Sequence, residues 1–276
     1  MHSVMTVIGL VSGSGLEGID VALVATDGER RLERRHSLTF PLSPDQRKGL
    51  SEAIAANRLA KIEQDLTEFC ADAVKHFLES FALTRDAVAL IGFESATASS
   101  IGFGDALAWS TGIDVVYDFA SADVEAGGQG RPLDPVYHRA LADAAGIALP
   151  LVVVESGAGG ATVIYIGEDG ILMAFDAGPP VTAEAILGLS DRFPAQPLLW
   201  LFAGKIDTAL LQAFGRLLGE PIHRAEEMGW SKDHFGAETF AYLAVRSVRK
   251  LPLSFPSTTG VKQPITGGRL ARARRR

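Results

Sequence analysis

The residues best suited to chemistry lie in a glycine-rich turn near the start of the chain, between two apolar runs. Residues 7–24 read VIGLVSGSGLEGIDVALV, with Gly13, Gly15 and Gly18 in the turn. Glycines leave backbone N–H groups uncovered, and such groups can surround a phosphate. Asp20, at the start of the second run, offers a carboxylate that can hold Mg²⁺ through water. The alternative is a glycine-rich hairpin with no ligand, because such turns are common.

A second glycine-rich turn repeats this pattern in the other half of the chain. Residues 151–167 read LVVVESGAGGATVIYIG, with Gly157, Gly159 and Gly160 between two apolar strands. The repeat predicts a duplicated domain in which each half opens with two antiparallel strands. Two such turns facing one another across a cleft would form a two-sided phosphate clamp. Sugar kinases and actin-like ATPases are built in this way.

A third candidate is an acid at the end of a predicted strand. The strand at 171–175 ends at Asp176, which precedes the tight turn Ala177-Gly178-Pro179-Pro180. Ligands of open α/β sheets bind beyond the carboxyl ends of the strands. We therefore expect the Asp176 carboxylate to be held rigidly and aimed at a cleft. The alternative is a turn-capping aspartate, a role in which this residue is common.

Composition restricts the class of protein. The chain has 276 residues, 47% of them hydrophobic and 21% charged, with a net charge of −7, which is typical of a globular protein and disfavours nucleic-acid binding. No run of about 18 uncharged apolar residues predicts a membrane span. Cys70 alone cannot form an internal disulfide, and with no signal peptide recognisable the chain is expected in the cytoplasm.

The remaining elements are expected to alternate between strands and helices. The sequence predicts a helix over 59–81, strands at 88–93 and 115–119, a polar loop without helix at 121–130, and a helix over 237–250. We divide the chain at 148/149, into an N-terminal lobe (1–148) and a C-terminal lobe (149–276). Five arginines in the last eight residues predict a solvated, disordered tail over 269–276.

Several segments resemble a known family over nearly the whole chain. GLVSGSGLEGIDVAL (9–23) is similar to the phosphate loop G-L-M-S-G-T-S-L-D-G-I-D of anhydro-N-acetylmuramic acid kinases. YDFASADVEAGGQGRPLDPVYHRAL (117–141) resembles the family's D-F-R-x-A-D-V-A-A-G-G-Q-G-A-P-L-V-P segment, and FDAGP (175–179) its F-D-T-G-P-G-N. Residues 229–247 and 251–268 match its C-terminal segments.

The resemblance implies an α/β fold, the two-lobed actin-like ATPase or sugar kinase fold in which a ribonuclease H-like domain is duplicated. It implies ATP and Mg²⁺ as cofactors and 1,6-anhydro-N-acetylmuramic acid as substrate. The reaction would open the anhydro ring with water and phosphorylate O6, giving N-acetylmuramic acid 6-phosphate in cell-wall recycling. No nucleic acid or membrane partner is expected, and a homodimer is left open.

The resemblance also implies roles for individual residues. Asp176 would be the general base that activates water. Thr97, Asp123 and Glu238 would bind the sugar, and Asp20 the Mg²⁺. The nucleotide would be bound by residues of the two turns and of two later strand ends: Gly13, Ser14, Gly15, Leu16, Glu17, Gly18, Ile19, Asp20, Gly159, Gly178 and Gly204.

The chain departs from the family pattern at positions expected to contact ligands. The arginine of D-F-R is Ala120, which removes a clamp for the substrate carboxylate, and only Thr97 remains of the motif H-G-Q-T. Phe202 replaces a glycine, where we expect it to crowd the nucleotide, and most of a segment is missing between Leu187 and Leu198. Two hypotheses therefore stand: a working kinase, or a catalytically impaired relative that keeps the fold as a regulatory or partner-binding protein.

Overall fold

The structure is a computed structural model that describes residues 2–13, 15–95, 103–157, 160–204, 206–219 and 222–274. Its strands are β1 (Met5–Ser12), β2 (Gly18–Thr26), β3 (Leu32–Pro41), β4 (Leu90–Ser95), β5 (Val115–Tyr117), β6 (Leu151–Gly157), β7 (Gly160–Ile166), β8 (Leu172–Asp176), β9 (Leu199–Gly204), β10 (His223–Arg224) and β11 (Arg269–Ala271). Its helices are α1 (Pro44–Ala55), α2 (Leu59–Ser80), α3 (Phe103–Thr111), α4 (Ser121–Glu125), α5 (Pro135–Ala145), α6 (Ala183–Gly188), α7 (Thr208–Leu218), α8 (Phe235–Val248) and α9 (Pro256–Thr259).

The strands form two mixed sheets with the same connectivity. The first has the order β11-β5-β4-β1-β2-β3 and the second β10-β9-β6-β7-β8. In the first, β1 is antiparallel to β2 and parallel to β4, and β2 is antiparallel to β3. In the second, β6 is antiparallel to β7 and parallel to β9, and β7 is antiparallel to β8. The predicted α/β class and the duplication of the hairpin-led sheet are confirmed.

The chain divides into two compact units that differ from the predicted lobes. The first unit contains residues 1–125, 233–253 and 265–276, and the second contains 126–232 and 254–264. The reason lies in two helices. α8 packs against β1, β2 and β4 of the first sheet, whereas α5 packs against β7 and β8 of the second. The first sheet is thus covered by a helix of the predicted C-terminal lobe, and the second sheet by a helix of the predicted N-terminal lobe.

α8 lies directly against two glycines in the middle of the first sheet. Gly9 of β1 and Gly92 of β4 are paired in register. A Cβ added at Gly9 would lie 1.7 Å from the backbone oxygen of Ala237, and one at Gly92 would lie 2.1 Å from that of Phe240. No side chain fits at either position, so these glycines set the approach of the helix to the sheet.

The other end of α8 is fixed by side chains that reach the turn after β2. Arg246 donates from one guanidinium nitrogen to the carbonyl of Gly28 at 2.8 Å and from another to that of Pro252 at 2.6 Å. Arg249 donates to the carbonyl of Asp27. The helix is therefore held by packing in the middle of the sheet and by charge-assisted hydrogen bonds at its C-terminal end.

The prediction of a loop without helix at 121–130 was wrong over its first five residues. Residues 121–125 form α4, in which the N–H groups of Asp123 and Val124 donate to the carbonyl of Ala120 at 3.1 Å. The glycines that argued against helix come only after Glu125.

Among the described residues, no helix is long and apolar enough to cross a membrane.

The basic tail is structured over its described part, although most of its residues are exposed. Residues 269–271 form β11, which pairs antiparallel with β5. Arg269 forms an ion pair with Asp118 at 3.0 Å, and Arg272 one with Asp114 at 2.6 Å. The prediction of a disordered tail was wrong over 269–274, because counting like charges overlooked the acids at both ends of β5.

We expect Gly9→Ala to destabilise the protein by about 3 kcal/mol, because the new methyl group must push α8 off the sheet. Urea unfolding monitored by circular dichroism measures this change. Gly49→Ala is the matched control. Gly49 lies inside α1, where an added Cβ meets no described atom within 4 Å. That substitution should stabilise by about 0.5–1 kcal/mol. Equal unfolding midpoints for wild type and Gly9→Ala would contradict the packing argument.

Candidate active site

The first glycine-rich turn joins β1 to β2 and is open at two of its glycines. Within the described part of the chain, a Cβ added at Gly13 would meet nothing within 4 Å, and one at Gly15 would contact only the Glu17 side chain. Gly18 differs, because its Cβ would lie 2.6 Å from the carbonyl oxygen of Phe40. Gly13 and Gly15 thus leave room for a ligand against the backbone, whereas Gly18 is required by the packing of β2 on β3.

Two other predicted nucleotide-binding residues belong to the hydrophobic core. Leu16 and Ile19 are 7% and 1% exposed and pack in the apolar cluster of the first unit. Leu16 adopts a positive φ of 52°, and its N–H donates to the carbonyl of Gly13 at 3.2 Å. These side chains anchor the turn, so only their backbone groups can face a ligand.

Asp20 is the first member of a hydrogen-bonded chain of three side chains. The Thr39 hydroxyl donates to the Asp20 carboxylate at 2.6 Å, and Nε2 of His234 lies 3.1 Å from the same hydroxyl oxygen. Since the only hydroxyl proton goes to Asp20, His234 is the donor to Thr39. The chain joins β2, β3 and the residue that precedes α8.

Negative charge accumulates around Asp20. Burial raises the pKa of its carboxyl above the ordinary value. The Thr39 hydrogen bond and His234 oppose this, but the charges of Asp233 and Glu17 add to it. A carboxylate among like charges is stabilised by a bound cation. This is the electrostatic environment expected for a Mg²⁺ ligand.

The two predicted sugar-binding acids that the structure describes are both buried in the first unit. Asp123 lies in α4 and is 2% exposed, and Glu238 lies in the first turn of α8 and is 3% exposed. An Arg34 guanidinium nitrogen is 3.9 Å from the Glu238 carboxylate. Buried carboxylates are retained where they have hydrogen-bonding or charged partners. Ser14, Thr97 and Gly159 lie outside the described residues.

Asp176 ends β8 in the second unit, beside the second glycine-rich turn. Its Oδ1 accepts the N–H of Gly178 at 2.7 Å, and the side chain is exposed. A Cβ built on Gly160 would be 3.6 Å from that oxygen, so the carboxylate lies against the start of β7. The carboxylate is thus fixed in a turn, as expected for either a positioned base or a turn cap. Gly178 has φ 59°, which favours glycine there.

Gly204 marks the carboxyl end of β9, next to β6. It pairs in register with Ser156, and its Cβ would lie 2.8 Å from the Ser156 carbonyl oxygen. Because β6, β8 and β9 run in the same direction, Ser156, Asp176 and Gly204 lie at one edge of the second sheet. The expected crowding by Phe202 was wrong, because its ring is 1% exposed and packs edge-on against Phe214 at 4.8 Å.

The sequence analysis missed Thr39 and His234. Thr39 alternates with apolar neighbours in β3 and shows no motif, and His234 is far away in the chain. The register at the turn, where Thr26 pairs with Leu32, would place Leu38 opposite Asp20, and only the β-bulge between Leu23 and Val24 brings Thr39 there. Nothing in the local sequence brings His234 to this pair.

Comparison with known proteins identifies the family. The model of the anhydro-N-acetylmuramic acid kinase family matches residues 5–213. The anhydro-N-acetylmuramic acid kinase of Paramagnetospirillum magneticum is 32% identical over 354 residues, covering 96% of this chain and 99% of the relative. That of Rhizobium johnstonii is 32% identical over 370 residues, covering 98% and 100%.

Among solved structures, YeaZ from Pseudomonas aeruginosa is 17% identical with a TM-score of 0.36, covering 89% of this chain and 94% of that one. This likeness adds nothing to the sequence comparisons. The alignments to both kinases are longer than the 276 residues of this chain, so the relatives contain segments that it lacks. On the strength of the family match and the near-complete coverage of these relatives, the chain belongs to the anhydro-N-acetylmuramic acid kinase family.

Proposed function

We propose that this protein is an ATP-dependent kinase of 1,6-anhydro-N-acetylmuramic acid that opens the anhydro ring with water and phosphorylates O6. The product would be N-acetylmuramic acid 6-phosphate. Family membership supports the reaction class, and the observation that carries the assignment to this chain is Asp176, an exposed carboxylate fixed by a backbone N–H beside a glycine-rich turn. The cytoplasmic location expected from the single cysteine belongs to the same proposal.

The first turn is assigned to the nucleotide phosphates. The open backbone at Gly13 and Gly15 would donate N–H groups to phosphate oxygens. Asp20 would hold Mg²⁺, and the surplus of negative charge from Glu17 and Asp233 fits a cation there. The ion, when bound, neutralises charge that develops on the phosphates. His234 and Thr39 keep the Asp20 carboxylate in one orientation.

The step at Asp176 follows from general-base chemistry. The carboxylate takes a proton from water as the water oxygen forms a bond to the anomeric carbon. The bond from that carbon to O6 breaks, and O6 bonds to the γ-phosphorus as the bond to the ADP oxygen breaks. Asp123 and Glu238 are assigned to the sugar. Most of the remaining rate enhancement would come from positioning and charge stabilisation.

A catalytically impaired relative is the second hypothesis. It is favoured by Ala120 in place of the expected arginine, and by the absence from this chain of segments that the longer relatives contain. If each lost contact cost about 1.4 kcal/mol, each would lower activity by roughly tenfold. Phosphoryl transfer from ATP to the anhydro sugar, measured with the full chain, distinguishes the two: turnover supports the kinase, and its absence at saturating substrates supports the impaired relative.

We expect Asp20→Asn to weaken the binding of ATP–Mg²⁺ by about tenfold or more, because the amide cannot neutralise the ion. Isothermal titration calorimetry with and without Mg²⁺ measures this change. The control is Asp86→Asn, since Asp86 is exposed and forms its ion pair with the neighbouring Arg85. Its affinity should match that of the wild type. Affinity that is unaffected by Asp20→Asn would remove Asp20 from the metal site.

We expect Asp176→Asn to lower kcat by about 10²–10⁴-fold with little change in substrate binding, because the amide keeps the shape but loses the basicity. Steady-state kinetics with the anhydro sugar measures both quantities.

Asp207→Asn is a closely matched control for turn capping. Oδ1 of Asp207 accepts the N–H of Ala209 at 2.9 Å, two residues on, in the same way that Asp176 accepts from Gly178. This variant should retain the wild-type kcat. If both variants remain fully active, Asp176 is a turn cap and the base lies elsewhere.

A further inference from the structure

A second cluster of metal-ligating side chains lies in the second unit and has no role in the proposed kinase reaction. It consists of Asp134, His138 and Glu155, whose ligand atoms all lie within 4.8 Å of one another. Nε2 of His138 is 3.1 Å from Oε1 of Glu155. The histidine is 0% exposed and the two acids are half-buried.

Two well-separated stretches of chain build this triad. Asp134 and His138 are one helical turn apart at the start of α5, and Glu155 lies on β6 after four apolar residues. Asp134 occupies the N-cap position of α5, where aspartate normally accepts a backbone N–H of the first turn. Here it makes no such bond, and its carboxyl group is instead hydrogen-bonded to the side chain of Glu155. Its side chain serves the cluster rather than the helix.

The composition of the cluster suits a divalent cation. One imidazole and two carboxyl groups offer one nitrogen and two oxygen ligands within 4.8 Å of one another. A bound cation would neutralise the negative charge of the two acids.

We propose that Asp134, His138 and Glu155 bind one divalent transition-metal ion, with Zn²⁺ as the best match. One imidazole nitrogen and two carboxylate oxygens are ligands that zinc accepts, with bonds of about 2.0–2.2 Å and a fourth position open to water. Such bonds separate tetrahedral ligand atoms by roughly 3.4 Å. The His138–Glu155 separation of 3.1 Å is close to this distance, and all three ligand atoms lie within 4.8 Å of one another.

The donor set distinguishes this site from the one at Asp20. Mg²⁺ prefers oxygen ligands and retains several waters, whereas imidazole favours transition metals. A bound ion would join the N-terminus of α5 to β6 one residue before Ser156, where the chain enters the second glycine-rich turn. The site would stabilise that turn, and it does not depend on ATP or sugar.

Trp230 provides a spectroscopic reporter. Its ring stacks on His138 with centroids 5.4 Å apart. We expect the full chain, freed of metal with EDTA, to take up one equivalent of Zn²⁺ with a change in tryptophan fluorescence. Elemental analysis after gel filtration should give the same stoichiometry, and millimolar Mg²⁺ should not compete.

We expect His138→Gln and Glu155→Gln to lower the affinity for Zn²⁺ by at least about 100-fold, because even changes outside the ligand set cost 10–100-fold. The control is His223→Gln. Nδ1 of His223 lies 3.2 Å from a carboxylate oxygen of Glu227, which makes a histidine–acid pair outside the triad in the same unit. This variant should bind Zn²⁺ like the wild type.

The proposal is overturned if the folded wild type takes up no stoichiometric Zn²⁺ or if Glu155→Gln binds as tightly as the wild type. Circular dichroism establishes that each variant is folded. Should His138→Gln not fold, the nearly isosteric Glu155→Gln decides the question through its thermal shift: Zn²⁺ should raise Tm of the wild type and leave that of the variant unchanged. No nucleotide is present, so this result is independent of the kinase assignment.

Discussion

The first unit depends on the direct contact between α8 and two glycines in the centre of its sheet. Gly9 and Gly92 leave no space for a side chain between the strands and the backbone of Ala237 and Phe240. The contact positions the candidate site because Glu238 follows Ala237 on the helix and His234 precedes its first residue. A displacement of the helix would therefore move an acid and the partner of Thr39 together. Packing and the geometry of the candidate site are linked here through one helix.

The second unit positions its residues by strand ends rather than by a helix. Ser156, Asp176 and Gly204 lie where three strands of the same direction end, so hydrogen-bonded ladders determine their spacing. Gly204 at φ 83° approaches the Ser156 carbonyl too closely for any other residue. Asp176 gains a further constraint from the N–H of Gly178. A carboxylate held by the backbone in this way loses little entropy when it binds a reactant.

Elements with strong local patterns could be predicted from the sequence, and contacts between distant segments could not. The two glycine-rich hairpins, the long α2 and Asp176 at a strand end all follow from periodicity and turn chemistry within a few residues. By contrast, β11 could be predicted only with the knowledge that its arginines meet Asp114 and Asp118 at the two ends of β5. The contact of His234 with Thr39 joins residues that are 195 positions apart. The two compact units depart from the division at 148/149 for the same reason, because local patterns do not show which sheet α8 covers. The cluster of Asp134, His138 and Glu155 had only a weak signal in the sequence. Glu155 follows four apolar residues, and Asp134 and His138 are four positions apart.

Position 120 illustrates how the chain can diverge from the family pattern and keep its fold. The carbonyl of Ala120 accepts the N–H groups of both Asp123 and Val124 and so begins α4, which holds Asp123. Any residue supplies that carbonyl, whereas only an arginine supplies the clamp expected in the family. Phe202 is similar, because its backbone continues β9 while its ring fills the core against Phe214. Such substitutions change the side chain at little structural cost. The backbone therefore still forms the start of α4 that holds Asp123, whatever side chain stands at position 120.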